Sequence, residues 1–184
     1  MPASYWNYFV PYETDPAFAL QRLREEVFER GEYKSFLDAA MPVSDGFSRG
    51  NLSRVPALQP HHHRLDLSRL FTEWNRPLAN VNHSGPRPGS IRELLDRQAG
   101  AGTHSILDIT GLSTRPATSC INPLSSLALV ELFGSDSPDH FDIKEAFDLG
   151  LLARYIGRRW QGIYLTAFRD SQPDEIFFAG RSGS

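Results

Sequence analysis

Two short apolar runs near the C-terminus, Gly162–Phe168 and Glu175–Ala179, flank the polar stretch Arg169–Asp174. Ile163, Leu165 and Ala167 fall on one side of an extended chain, and Tyr164, Thr166 and Phe168 on the other. Asp170, Ser171 and Pro173 favour a turn. The pattern therefore predicts an antiparallel β-hairpin. A lone hairpin is not stable in water, so it needs further strands or a covering helix.

Earlier segments offer both. Ser4–Tyr12 is rich in Tyr, Trp, Phe and Val and closes at Pro11, which predicts a strand. Thr14 or Asp15 can cap a following helix, with Pro16 in its first turn. Phe18, Leu20, Leu23, Val27 and Phe28 recur at near-helical spacing among Arg22, Glu25, Glu26 and Glu29, and Gly31 suits a left-handed C-cap. Ser90–Ala99 carries a capping box, Ser90 with Glu93, and stops at Gly100 and Gly102. His104–Thr110 reads as a short strand through Ile106, Leu107 and Ile109. A helix is expected over Ser125–Phe133, closed by Gly134, and a longer one from Asp139 to about Tyr155, bent at Gly150.

Strands and helices mix without a regular βαβ alternation. The expected fold class is α+β: a single domain with a mainly antiparallel sheet and a C-terminal β-hairpin, covered by several helices. The expected core is Phe9, Leu23, Val27, Ile106, Leu107, Ile109, Phe147, Leu151, Ile163, Leu165 and Phe178.

Periodicity fails over 41–89, which holds six of the 13 prolines and four of the six histidines. Only Leu65–Trp74 keeps a short helical face, through Leu67, Leu70, Phe71 and Trp74. So long an irregular connection is expected either to cover the sheet–helix body as a lid or binding loop or to be a mobile loop with no ligand.

Charge sharpens this. The chain of 184 residues carries a net −3, yet residues 41–100 hold 8 bases against 5 acids, while the flanks are acidic. The overall balance argues against a nucleic-acid binder. All but Lys34 and Lys144 of the 19 basic residues are Arg, as Arg-favouring codons of a GC-rich bacterial genome would give. Cys120 is the lone cysteine, so no intramolecular disulfide forms, which suits the cytoplasm. The N-terminal residues lack the pattern of a signal peptide, and no run approaches a membrane span.

Candidate chemistry is sparse. His61 and His63 can turn to one side of an extended chain, beside Arg64, with His83 or Asp66 near them. No paired-ligand metal signature is present, so the expectation is no metal and no cofactor. His83 to Ser90 runs into a helix N-terminus, where free N–H groups and Arg87 suit an anion. Ser90 and Glu93 compete for those same N–H groups. Cys120, with His104 or His140 as base and Asp108 as orienter, is set against the simpler reading of a small buried hydrophobe. The acid pairs Glu25–Glu26 and Asp174–Glu175 read as solvated faces. Of the aromatics Tyr5, Trp6, Tyr8, Phe9 and Tyr12, one strand face suits the core and the other a binding surface.

The function expected from this pattern is that of a small bacterial binding or accessory protein, an immunity-type or pathway partner acting through a surface. The competing expectation is a small enzyme with its site beneath 41–89, acting on a small anionic substrate. The ligand-binding candidates are His61, His63, Arg64, His83 and Arg87, and the expected partner is a protein or a small anionic ligand.

Overall fold

The computed structural model describes residues 5–34, 86–98 and 102–182. Among these residues, five strands form one mixed sheet: β1 (Tyr5–Pro11), β2 (Gly111–Leu112), β3 (Cys120–Pro123), β4 (Gln161–Arg169) and β5 (Gln172–Arg181). Their spatial order is β1-β5-β4-β3-β2. β1, β5 and β4 pair antiparallel, as the hairpin pattern predicts, whereas β4, β3 and β2 pair parallel. The expected antiparallel pairing is thus met in part, and the sheet is mixed. β2 and β3 span 2 and 4 residues, too short to leave a readable alternation.

The strand–helix opening forms as the sequence predicts. α1 (Pro16–Arg30) starts at Asp15, whose side chain accepts the Ala17 N–H, and ends at Gly31 with φ 70°. In α2 (Ile91–Gln98), Ser90 Oγ accepts the Glu93 N–H at 3.1 Å, while Glu93 reaches back to the Gly89 N–H at 2.7 Å. α3 (Ser126–Phe133) closes at Gly134 in the left-handed region. The predicted long helix divides into α4 (His140–Asp148) and α5 (Ala153–Ile156), with Gly150 between them at φ 73°. The division turns Leu151 outward, 49% exposed, and Leu152 takes the buried position.

The predicted strand at His104–Thr110 is a correction. Ile106–Asp108 is a 3-10 turn. Ser105 Oγ accepts the Leu107 N–H, and Asp108 Oδ1 accepts the Thr103 N–H at 2.6 Å. These local side-chain bonds outcompete a sheet ladder. The apolar residues still serve the core, because Ile106, Leu107 and Ile109 are fully buried.

Cross-strand register explains the layering. One row runs Trp6, Gly180, Gly162, Ile121, Leu112, and two residues further along β1 the next runs Tyr8, Phe178, Tyr164, Pro123. This face packs with Ala19, Leu20, Leu23 and Val27 of α1, Leu94 of α2 and the 3-10 turn. The alternate rows, including Phe9, Phe177 and Leu165, pack with Ile143, Ala146, Phe147, Leu152 and Ile156 from the α4–α5 side. The central strands are therefore covered on both faces. β1 is a sheet edge.

Asp170 and Ser171 both have positive φ, as a two-residue type I′ hairpin turn requires. A register shift follows at Ala167/Phe168, opposite Glu175 and Pro173, and leaves Asp174 as the extra residue. The Asp174 carbonyl accepts the Tyr12 N–H at 2.9 Å, and the Phe168 N–H donates to Pro138 at 2.9 Å. The irregularity thereby ties the hairpin to the entry of α4.

Candidate functional site

The hydrogen-bond phase of β1 follows from one contact. Tyr12 donates to Asp174 one step beyond Pro11–Glu175, the last pair of the β1–β5 register. In an antiparallel pair, hydrogen-bonded and non-bonded residues alternate. Val10, Tyr8 and Trp6 therefore turn their backbone groups toward β5. Asn7, Phe9 and Pro11 turn theirs away from the sheet. Pro11 fits this phase, since its missing N–H falls on the outward side. Among the described residues no strand pairs with this outer side.

The two sheet edges differ. The β2 edge is 2 residues long and offers little to pair with. β1 is 7 residues long, and its sequence YWNYFVP has no charged residue. Natural sheets normally blunt such an edge with charge, bulges or cover.

Beside the β1 edge lies a groove of about 150 Å³ between β1 and α1. Tyr8, Val10, Ala19 and Leu23 form its apolar lining. Glu13, Arg22, Glu26 and Arg30 line its rim. They form a ladder of alternating sign: Arg22–Glu13 at 2.6 Å, Arg22–Glu26 at 3.9 Å and Arg30–Glu26 at 2.9 Å, with Arg30 also 3.5 Å from Glu32. Exposed pairs of this kind add little stability, but they leave the rim without a dominant charge.

Tyr8 joins groove and core. Burial, then the nearby Glu32 charge, pushes its phenol well above the ordinary tyrosine value of 10, while an Ile106 backbone hydrogen bond and Arg30 act the other way. The sign follows directly. The unfolded chain loses this proton near pH 10 and the folded chain holds it, so stability falls as pH rises above about 10. Tyr8→Phe is expected to move the alkaline unfolding midpoint upward, read by far-UV circular dichroism. An unchanged midpoint would remove Tyr8 as a contributor.

On the opposite face of β1, His140 Nδ1 lies 2.6 Å from Glu175 Oε2. Its ring stacks on Phe9 with centroids 4.0 Å apart and meets Phe141 edge-on at 5.6 Å. Glu175 is opposite Pro11 in the register, which places this cluster at the same edge as the groove. The expected solvated role for Glu175 is thus corrected: it orients a histidine. Periodicity marks neither His140 nor Glu175, because the pair meets only through tertiary packing of α4 on the sheet.

Arg87 caps a helix. Its guanidinium donates to the carbonyls of Phe28 at 2.8 Å and Glu29 at 2.7 Å and lies over the Phe28 ring. It thus supplies donors for the last turn of α1. The Gly89 and Glu93 amides of the α2 N-terminus are likewise taken by Glu93 and Ser90. His61, His63, Arg64 and His83 lie outside the described residues, as does the 41–85 part of the predicted cover. Cys120 pairs with Gln161 at the start of β4, whereas His140 contacts Glu175, opposite Ala167. Those ends of β4 are about 20 Å apart at strand rise, so Cys120 and His140 form no nucleophile–base pair. The Asp108 carboxylate holds the Thr103 amide. No group of three or more potential metal ligands occurs among the described residues. No helix among them is long and apolar enough to cross a membrane.

No protein-family model, curated protein or solved structure matches the chain.

Proposed function

We propose that this is a binding protein that acts through the outer edge of β1, where an extended segment of a protein partner adds as a further strand. The observation that carries the reading is the phase of β1. The N–H groups of Asn7 and Phe9 and the carbonyls of Asn7, Phe9 and Pro11 face outward, beside an apolar groove. Main-chain hydrogen bonds supply affinity in strand addition, and side-chain pockets at alternate positions supply selectivity. A residue of the added strand opposite Tyr8 would direct its side chain into the groove. The near-balanced rim of Glu13, Arg22, Glu26 and Arg30 imposes no strong charge requirement there.

Asn7→Pro tests the reading. It removes one outward donor and sets a ring against the incoming strand, yet breaks no bond to β5. Binding of strand-length peptides of about six residues, drawn from a synthetic library, is expected to weaken about tenfold or more, as loss of one hydrogen bond and a steric block imply. The far-UV spectrum and the denaturation midpoint should change little. Peptides that bind the variant as well as the parent, or a library with no binder, would sink the strand-addition reading.

A further inference from the structure

We infer that the β1 edge selects an aromatic residue in the captured segment, read by Phe9, His140 and Phe141; this rests on the strand-addition reading. Phe9 directs both backbone groups outward, so one residue of an antiparallel added strand exchanges both hydrogen bonds with it. Directly opposite residues place their side chains on the same face of the sheet, with Cβ atoms about 5 Å apart. The residue facing Phe9 therefore projects toward the α4 side, away from the groove.

There it meets the aromatic rings at the start of α4. Phe9 is only half-buried although Phe177 packs against it at 4.6 Å. His140 lies over Phe9 and holds Phe141 at its edge. Phe141 is 80% exposed, a large apolar side chain next to the His140 ring that stacks on Phe9. Glu175 takes the Nδ1 side of His140, and Nε2 makes no hydrogen bond among the described residues. The shelf is thus an exposed phenyl and a partly exposed imidazole fixed in place by a carboxylate. Aromatic side chains fit it best, because edge-to-face and offset ring contacts add to the area they bury.

The test uses a binding peptide from the strand-length library, substituted in turn at each position with Phe, Tyr, Leu and Ala. One position is expected to favour Phe or Tyr over Leu by about fivefold, the scale of one aromatic pair. The Phe141→Ala variant, whose parent side chain is largely in solvent, should reduce that ratio below about twofold. Shifts of the His140 ring resonances should accompany binding of the aromatic peptides. Peptides whose binding Asn7→Pro weakens, but which show no aromatic preference or keep it in Phe141→Ala, would overturn this inference alone. Binding insensitive to Asn7→Pro, or no binding, would overturn the strand-addition reading and this inference with it.

Discussion

Gly180→Ala is expected to destabilise the protein by about 3 kcal/mol or more, at the upper end of overpacking effects. Gly180 stands between Trp6 and Gly162 in the central row of the sheet. The Trp6 indole lies across it: a Cβ at Gly180 would sit 2.7 Å from Cε2 and closer still to Cζ2 and Cη2. A flexible side-chain end could move aside, but Trp6 is a rigid ring, 5% exposed, in a core that includes Leu23 and Ile121. Gly162 offers no escape on the far side, since a Cβ there would already meet Trp6 Cη2 at 3.3 Å and the Ala179 carbonyl at 2.6 Å. Urea titration should show the loss as a lower midpoint. Trp6→Ala should itself cost about 3–5 kcal/mol. In that background Gly180→Ala should cost far less, because the clashing ring is gone. Equal costs in both backgrounds would mean that the indole is not what requires glycine.

Phe177→Ala and Phe178→Ala are each expected to cost about 3–5 kcal/mol, measured in the same titration. Adjacent strand residues point to opposite faces, so one of two neighbours is commonly exposed. Here both are fully buried. Phe177 packs with Phe9 and Phe147 on the α4 side, and Phe178 with Tyr164 on the α1 side. The two costs should add closely, as they draw on separate clusters. A loss below about 1 kcal/mol for either residue would show that its face is not tightly covered.

What the chain discloses in advance depends on how local the physics is. Asp15, Pro16 and Gly31 mark α1 because capping and left-handed geometry act within a turn. The hairpin is equally legible, since Asp170 and Ser171 sit between two patterned runs. His104–Thr110 misleads because the residues that decide its shape, Thr103, Ser105 and Asp108, act by side-chain bonds that an apolar pattern does not register. β3 escapes because its partner β4 lies some forty residues further along the chain, and a 4-residue parallel strand has little pattern of its own. The aromatics of β1 point to a binding surface, but on a strand face. Both faces carry packed side chains, and among the described residues the unpaired feature is the edge, whose phase depends on pairing with β5. Arg87 reads as an anion clamp from its place before α2; its carbonyl partners at the end of α1 lie nearly 60 residues earlier in the chain.

Residue-resolved amide hydrogen exchange of β1 tests whether its outer edge is free to pair. Alternation is expected: slow exchange at Trp6, Tyr8 and Val10, which donate to β5, and fast exchange at Asn7 and Phe9. Adding a peptide that binds should slow Asn7 and Phe9 selectively. Uniform protection along β1 in the free protein, or a bound peptide that leaves Asn7 and Phe9 exchanging freely, would contradict it.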